Sequence, residues 1–222
     1  MSAPQAVLFD YGGVFTTSPF AAATRAFAKA GVEPTQGLSW IFGPYEADTD
    51  HPWHRLERGE LSASAARDEI MATMADAGHD LDPWVVLAEL AGGEHRAWMA
   101  DVLVAIHRAG LGTAIVTNNI AEFASVWQAG LPMDSVDVLV DSSAVGVRKP
   151  NPAIYRLALE RLGVDNPGAA VFIDDAASNV AAARALGLVG VDVDHDGARA
   201  PEAALVLCEL TGIAPPASLL AV

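Results

Sequence analysis

The sequence is poor in cysteine and in positive charge. Its 222 residues include one cysteine, Cys208, which excludes an intrachain disulfide and a zinc site built from several cysteines. Lys and Arg together number 13 against 28 Asp and Glu, a formal net charge of −15. A surface that acidic repels phosphate backbones and anionic lipid head groups, so we expect neither nucleic acid nor a membrane as a partner.

Long apolar runs are also missing. No stretch reaches the roughly 18 apolar residues that a membrane span needs, and the segment MSAPQAVLFDYGG lacks the charge and apolar length of a secretion signal. We therefore expect a cytoplasmic protein. The composition is 52% hydrophobic and 18% charged, which supports a packed core rather than disorder. The length suits one domain with a sizeable insertion.

Five short apolar runs predict β-strands, because each is too short for a helix and most are bounded by Gly, Asp or Asn. Runs of this kind are typical of a parallel sheet that is buried on both faces. The predicted strands cover residues 6–9, 113–116, 136–140, 170–173 and 188–193.

Helical patterns separate the last four of these strands. One helix is predicted between Thr117 and Gly130, where apolar residues recur at helical spacing. Another begins at Asn151 and Pro152, an N-cap followed by proline at the first helical position, and ends at Gly163. This alternation of strands and helices predicts an α/β fold, a doubly wound (Rossmann-like) parallel sheet.

The first and second strands are about a hundred residues apart, and no convincing strand lies between them. We predict an all-helical cap at 15–91, inserted into an α/β core formed by 1–14 and 92–222, with boundaries good to a few residues. Since such sheets bind ligands beyond the carboxyl ends of their strands, this cap would cover the site as a lid. The helix starts are expected at Ser18-Pro19, Ser62, Asp82-Pro83 and near Gly93.

Polar side chains follow four of the predicted strands, and a parallel sheet brings them to one edge. One aspartate after a strand is often only a turn former or a helix cap. Here, however, the edge would hold three carboxylates, a lysine and a hydroxyl. The three carboxylates are those of Asp10 after the first strand and Asp174-Asp175 after the fourth, the hydroxyl is that of Thr117 after the second, and the lysine is Lys149 after the third. Asn118 and Asn119 also follow the second strand, and Asp141 and Arg148 also follow the third.

Carboxylates this close repel one another unless a cation lies among them. Oxygen ligands without His or Cys favour Mg²⁺ over Zn²⁺. Lys149 would offset both the carboxylates and an incoming phosphate, while Gly12 and Gly13 would let backbone N–H groups approach the phosphate oxygens. An aspartate can then act as a nucleophile. The residues therefore predict metal-assisted phosphoryl transfer.

With these motifs in order, the sequence resembles the haloacid dehalogenase-like hydrolase superfamily, most of whose members are Mg²⁺-dependent phosphatases. The resemblance rests on Asp10, Thr117, Lys149 before a proline, and the Asp174-Asp175 pair. The stretches VRKPNPAIY and VFIDDAASNVAAARALG are similar to the branch that holds small sugar-phosphate phosphatases and the N-terminal phosphatase domain of epoxide hydrolases. RLERGELSASAARDEI resembles the cap of that branch.

The resemblance implies a role for each site residue. Asp10 would be the nucleophile, with Lys149 and Thr117 holding the transferring phosphoryl group. Mg²⁺ would be bound by Asp10, the Gly12 carbonyl and Asp175, with Asp174 acting through water or as a hydrogen-bond acceptor behind the ligands. The substrate, a small phosphorylated metabolite, would contact Tyr11, Gly12, Gly13 and Asn118, and Asn179 would support the site. The chain would act as a monomer or a homodimer.

Gly12 departs from the family pattern, in which a second aspartate two residues after the nucleophile protonates the leaving oxygen. Such general acid–base catalysis typically contributes about 10²–10⁴-fold. Three responses are open: a leaving group that needs little protonation, such as an anomeric, acyl or aryl phosphate; a cap residue such as His51 or His54 that supplies the proton; or a protein that binds phosphate and regulates without efficient turnover. A 2-haloacid dehalogenase, which needs no metal, is a further alternative.

The remaining aromatic and histidine residues have simpler interpretations. His51 and His54 are each expected to be partly exposed cap residues rather than catalytic acids. Four tryptophans are expected to pack the core of the cap, with one or two of them facing the substrate pocket. They are Trp40, Trp53, Trp84 and Trp98.

Overall fold

A computed structural model describes residues 3–90, 93–194 and 199–222. The described residues form a parallel five-stranded sheet with strand order β3-β2-β1-β4-β5. This confirms the predicted doubly wound α/β fold, and the strand limits differ from the predicted ones by no more than two residues. The strands are β1 (Ala6–Phe9), β2 (Gly112–Thr117), β3 (Val138–Asp141), β4 (Ala170–Asp174) and β5 (Val189–Asp192).

Helices flank and interrupt this sheet. Six precede β2: α1 (Pro19–Lys29), α2 (Pro34–Phe42), α3 (Pro52–Glu57), α4 (Ala63–Asp76), α5 (Pro83–Leu90) and α6 (Ala97–Arg108). The later ones are α7 (Ala124–Gln128), α8 (Ser142–Val145), α9 (Pro152–Leu162), α10 (Ala177–Leu186) and α11 (Ala200–Thr211). The predicted start and end of α9 are confirmed: the Asn151 side chain accepts from the backbone of Ala153, and Gly163 is left-handed. No helix in the described ranges is long and apolar enough to cross a membrane.

Two apolar clusters cover the two faces of the sheet. One joins the sheet to α6 and α11, through residues such as Leu103 and Leu207. The other joins it to α9 and α10, through residues such as Ile154 and Ala183. Because both faces are buried, the strands are apolar at nearly every position; apart from Thr113 near the start of β2, their polar residues lie at their carboxyl ends.

Helices α1 to α5 pack around an apolar cluster of their own, which includes Phe27, Leu56 and Met74. We propose that this cluster is the core of the cap predicted at 15–91. Trp40, Trp53 and Trp84 belong to it or pack against it. The prediction for Trp98 is wrong, because this residue lies on α6 and packs against the sheet cluster instead.

The register of the sheet places the strand ends level with one another. Phe9 pairs with Ile115 on one side and with Ile173 on the other. The next residue along each of these three strands continues towards the same edge. Asp10, the Thr117 end of β2 and the Asp174 end of β4 therefore converge, as the sequence predicts.

Candidate active site

The loop after β1 turns sharply so that its backbone lies beside a carboxylate. The Asp10 N–H continues the β1–β4 ladder by donating to the Ile173 carbonyl at 2.9 Å. Gly13 then adopts a left-handed φ of +74°. A side chain at this position would overlap the carboxylate of Asp175. Glycine is therefore required at position 13 both for its backbone conformation and for the close approach.

A buried lysine bridges two aspartates at this edge. Lys149 Nζ lies 2.6 Å from Asp10 Oδ1 and 2.7 Å from Asp174 Oδ2. All three side chains are buried. Burial raises the pKa of Asp10 to about 7, an effect that the charge of Lys149 opposes and that of Asp174 reinforces. For Lys149, burial lowers the pKa, but the two carboxylates outweigh it and the pKa is raised. Lys149 therefore stays charged.

The Asp174-Asp175 pair is held by hydrogen bonds from several elements. Asp174 Oδ1 accepts from the Ala176 N–H at 2.7 Å, and the Asn179 side chain donates to both Asp174 oxygens. Ser18 Oγ donates to Asp175 Oδ2 at 3.1 Å. Burial, together with the charges of Asp174 and Asp10, raises the pKa of Asp175 well above its usual range. Asp174 therefore also provides a hydrogen-bond acceptor for the N–H of Ala176, the residue just before α10.

These carboxylates form a donor set that fits a hard cation. Asp10, Asp174 and Asp175 each offer an oxygen, and the three oxygens lie within 4.8 Å of one another. Neither His nor Cys belongs to this group. One lysine cannot balance three buried carboxylates, and the raised pKa of Asp175 expresses that imbalance. A divalent cation with oxygen preference, such as Mg²⁺, would relieve it.

Asn118 holds the backbone of Lys149 in place through two hydrogen bonds. Its Oδ1 accepts from the Lys149 N–H at 2.7 Å, and its Nδ2 donates to the Lys149 carbonyl at 3.0 Å. The neighbouring Thr117 is buried, and its hydroxyl has only a long 3.5 Å contact with the Asn118 carbonyl. Asn118 lines the cavity, and its side-chain amide is hydrogen-bonded to the backbone of Lys149.

A buried ion pair connects the cap helices to the same loop. Arg148 is fully buried, and its Nε donates to Glu57 Oε2 on α3 at 2.7 Å. Its Nη1 donates to the Ala47 carbonyl at 2.9 Å. Burial raises the pKa of Glu57, and the charge of Arg148 opposes the rise. No role was predicted for Glu57. The sequence hints at one only through the position of Glu57 in RLERGEL and the position of its partner, Arg148, beside Lys149.

A cavity of about 410 Å³ lies over the strand ends. From the sheet side it is lined by Asp10, Tyr11, Gly12, Thr117, Asn118 and Asp175. The Tyr11 ring lies 5.0 Å from that of Trp127, and its hydroxyl is 3.3 Å from His95 Nε2. The remaining wall is mostly aromatic or aliphatic, and it includes Phe42, Tyr45, Trp53, Leu87, Ile120 and Phe123. The expectation that a cap tryptophan faces the pocket is confirmed by Trp53.

The two cap histidines lie outside this cavity's lining. His54 is fully buried, not partly exposed as predicted, and its Nδ1 accepts from the Thr49 N–H at 3.0 Å. Burial and the charge of Arg148 lower the pKa of His54 to about 3. His51 begins α3, where its Nδ1 accepts from the Trp53 N–H at 3.2 Å. Both rings serve the cap's own structure, which leaves them poorly placed to protonate a leaving group.

Ser18 and Arg96 support the site without having been predicted to do so. Ser18 was identified only as a helix start, yet its hydroxyl reaches Asp175. The Arg96 guanidinium donates to the Gly13 carbonyl, and to the Val14 carbonyl at 3.2 Å. Both contacts join residues that are far apart in the chain, so no local sequence pattern predicts them.

Comparison with known proteins decides the family. The family model for haloacid dehalogenase-like hydrolases matches residues 4–187. The chain belongs to the haloacid dehalogenase-like hydrolases. The match spans β1 to α10 and so includes the loop after β1, the cap helices and the Asp174-Asp175 pair.

Several relatives of this hydrolase are named phosphatases. The phosphoserine phosphatase of Thermus thermophilus is 30% identical over 204 residues, covering 86% of this chain and 82% of that protein. A phosphatase of Mycobacterium tuberculosis is 28% identical over 199 residues, covering 86% and 88%. Mouse acyl-CoA dehydrogenase family member 10 is 30% identical over 197 residues, or 86% of this chain. The chain spans only 18% of the length of that mouse protein, and 36% of mouse bifunctional epoxide hydrolase 2, another relative.

Solved structures share the hydrolase fold at low sequence identity. A haloacid dehalogenase family enzyme from Bacteroides thetaiotaomicron, in complex with magnesium and inorganic phosphate, superposes with a TM-score of 0.62 at 20% identity, covering 85% of this chain and 93% of that one. The L-2-haloacid dehalogenase from Xanthobacter autotrophicus gives 0.58 at 22%, covering 98% and 86%. The fold is therefore common to enzymes of more than one reaction type.

Proposed function

We propose that the chain is a Mg²⁺-dependent phosphatase that hydrolyses a small phosphomonoester, with Asp10 as the nucleophile. The observation that carries this proposal is the Lys149 bridge between Asp10 and Asp174, beside Asp175 and beneath a cavity. Two relatives that the chain matches over most of their length are named phosphatases, which supports the same reaction class.

Lys149 prepares the nucleophile. By holding one oxygen of Asp10 at 2.6 Å, it fixes the orientation of the carboxylate and favours the ionised form, leaving the second oxygen for attack. In the first step this oxygen forms a bond to phosphorus while the ester P–O bond breaks, giving an aspartyl-phosphate and an oxyanion that takes its proton from solvent. In the second step the oxygen of water bonds to phosphorus and gives a proton to solvent while the P–O bond to Asp10 breaks, releasing inorganic phosphate and restoring the Asp10 carboxylate.

The rest of the site would hold the transferring group. Lys149 and the Thr117 hydroxyl would bind phosphoryl oxygens, together with backbone N–H groups of Gly12 and Gly13. Asp10, Asp174, Asp175 and the Gly12 carbonyl would hold Mg²⁺, which supplies positive charge where the phosphoryl group gathers negative charge. Asn118 and Asn179 keep Lys149 and Asp174 in place through the hydrogen bonds described above.

Phosphate release with and without Mg²⁺ tests this proposal. The panel should span aryl, acyl, anomeric and ordinary alkyl phosphates, with Asp10→Asn as the site variant and Asp192→Asn, at the end of β5, as the matched control. We expect release that needs Mg²⁺, falls by roughly 10³-fold or more in Asp10→Asn, and is unchanged in Asp192→Asn.

The other outcomes separate the alternatives. Activity that survives in Asp10→Asn would contradict the nucleophile assignment. Mg²⁺-dependent phosphate binding without release from any ester would favour the binding or regulatory role that Gly12 leaves open. Halide release from a 2-haloacid without metal would favour a dehalogenase, although that reaction gives the Asp174-Asp175 pair no evident purpose.

A further inference from the structure

We propose that the natural substrate is the phosphate ester of an uncharged phenol, an aryl phosphate. This inference rests on the proposed phosphatase function and adds the class of the leaving group. It rests on three features of the cavity. Its wall is aromatic, its charged side chains are carboxylates, and its neutral polar side chains are already hydrogen-bonded within the protein.

The wall opposite the carboxylates suits a flat apolar group. Trp53, Trp127 and Ile120 present nearly buried apolar surface to the cavity, with exposures of 8%, 6% and 3%. Phe42 meets Trp53 edge to face at 4.9 Å. Aromatic rings arranged in this way gain most from another ring that packs among them. A cavity of about 410 Å³ lies within the range of sites for small organic ligands.

The carboxylates that face the cavity have no lysine or arginine beside them in the described lining, and the histidine of that lining, His95, is paired with the Tyr11 hydroxyl. Among the described residues that line it, the aspartates, glutamates, lysines and arginines are represented only by Asp10, Glu57 and Asp175. Arg148 already forms an ion pair with Glu57, and Lys149 already forms ion pairs with Asp10 and Asp174. A carboxylate or a second phosphate on the leaving group would be desolvated without a cationic partner, at high cost. This disfavours phosphoamino acids, bisphosphates and 2-haloacids.

The neutral polar side chains are largely engaged within the protein. Both ends of the Asn118 amide bind Lys149, and the Asn119 amide donates to Asp141 at 3.1 Å. Thr17 Oγ1 accepts from the Glu94 N–H at 3.2 Å. A sugar would bury several hydroxyls against groups that already have partners, which is unfavourable. An uncharged ring carries no such penalty.

The loop after β1 provides no acid for the leaving oxygen, so the site should hydrolyse aryl esters faster than alkyl esters. Position 12 is glycine and supplies no acid to the leaving oxygen. The Glu57 carboxylate is held by Arg148, and the Tyr11 hydroxyl is paired with His95. An alkoxide leaves poorly without a proton, whereas a phenoxide spreads its charge into the ring and leaves more readily. Of the apolar leaving groups that fit the wall, phenols are therefore the ones that this site can release.

Two series of esters test the inference with the Mg²⁺-loaded full chain. The first varies the acidity of the phenol in substituted phenyl phosphates and ends with benzyl phosphate. Because every ester gives the same aspartyl-phosphate, kcat/KM is the quantity that reports departure of the leaving group. It should rise steeply with acidity, and benzyl phosphate should have a kcat/KM lower than that of phenyl phosphate by about 10²-fold or more, the contribution of a missing general acid. The second compares 4-carboxyphenyl phosphate with its methyl ester; kcat/KM should favour the ester by at least about tenfold.

A charge introduced at the cavity mouth gives a matched variant. Phe123 lines the cavity and is 48% exposed, so Phe123→Lys should fold normally while supplying the missing cation. We expect this variant to improve kcat/KM for 4-carboxyphenyl phosphate relative to the methyl ester by about tenfold, from one new ion pair in a partly desolvated site. Phe123→Gln, which removes the ring without adding charge, should leave the ratio at its original value.

Several results would overturn the aryl phosphate while leaving the phosphatase intact. One such result is faster phosphate release from sugar phosphates or carboxylated phosphates than from aryl esters, provided that Asp10→Asn abolishes this release. A kcat/KM that does not change with the acidity of the phenol is another, because it would show that a residue of the cavity protonates the leaving oxygen. Absence of release from every ester would instead contradict the proposed function itself.

Discussion

At the scale of single residues, Gly13 shows how tightly the backbone is packed against the carboxylates at the ends of the strands. Its left-handed conformation turns the chain after Asp10, and the same position lies against the Asp175 carboxylate. Either constraint alone favours glycine, and together they leave no room for a side chain. The position of Asp175, and with it the spacing of the carboxylates, depends on this contact.

We predict that Gly13→Ala loses both stability and activity. The added methyl group combines left-handed strain of about 1–2 kcal/mol with overpacking against Asp175, which typically costs about 1–3 kcal/mol. Gly163→Ala is the matched control, because Gly163 has a similar φ of +70° and open space around it. Urea denaturation should show a larger loss for Gly13→Ala, and phosphate release should fall only in that variant. Equal losses in both would contradict the steric argument.

Some residues of the candidate site could be predicted from local sequence signals, and others could not. Asp10, Thr117, Lys149 and the aspartate pair were predicted because each follows a short apolar strand or precedes a proline, which are local signals. The Ser18 contact with Asp175 and the Glu57 contact with Arg148 link positions distant in the chain. Only the folded arrangement of the cap over the sheet brings them together, so no spacing in the sequence could reveal them.

At the scale of secondary-structure elements, the Glu57–Arg148 pair fastens α3 to the loop that carries Lys149. Both side chains are buried, with exposures of 4% and 0%. A buried ion pair adds little stability by comparison with apolar packing, but removing one partner leaves the other charge uncompensated. The pair therefore makes the position of the cap and the position of Lys149 mutually dependent.

We predict that Glu57→Gln destabilises the protein by roughly 3–5 kcal/mol, the usual cost of breaking a buried pair, and lowers kcat because the loop before Lys149 is less fixed. Glu60→Gln is the control, since Glu60 is a near neighbour whose ion pairs are exposed. Denaturation and phosphate release should be measured on both. A double variant, Glu57→Leu with Arg148→Met, should recover much of the lost stability without recovering kcat.

If Glu57→Gln behaves like Glu60→Gln, the ion pair has no structural importance. If the double variant instead regains full kcat, the pair contributes stability alone and does not position Lys149. Both results can be obtained from the same preparations, because stability and rate are measured separately.

The elements themselves were predicted with uneven success. All five strands were found because each is an uninterrupted apolar run between turn residues. Helices α2 and α3 were not predicted. They span Pro34–Phe42 and Pro52–Glu57, too short for a helical period to emerge, and Gly37 interrupts the first of them. Their helical state depends on packing around the shared apolar cluster, a tertiary effect that outweighs local preference.

At the scale of the whole molecule, His54 links the cap to the response of the protein to acid. Burial lowers its pKa from 6.5 to about 3, whereas in the unfolded chain it titrates near its ordinary value. Below pH 6.5 the unfolded state therefore binds a proton that the folded state does not. This group's contribution to stability is complete above pH 6.5 and is lost as the pH falls towards 3.

We predict that His54→Asn flattens the acid side of the stability profile. Asparagine keeps an acceptor for the Thr49 N–H but does not titrate. Between pH 6.5 and about pH 5 the wild-type free energy of unfolding should fall by roughly 2 kcal/mol more than that of the variant, at about 1.4 kcal/mol per pH unit. Chemical denaturation over this range measures the difference. Parallel profiles for the two proteins would show that His54 is not the group responsible.

Because β1 lies at the centre of the sheet, both strands that pair with it are synthesised after it. Ala6 pairs with Gly112 on one side and with Ala170 on the other. The ribosome therefore produces the strand that ends at Asp10 long before either neighbour exists. This apolar segment therefore stays unpaired in the growing chain until β2, about a hundred residues later, has been made, a state that exposes it to aggregation. The Asp10 carboxylate therefore meets Asp174 and Asp175 only after β4 has been added, and the sheet is complete only when β5 has paired with β4.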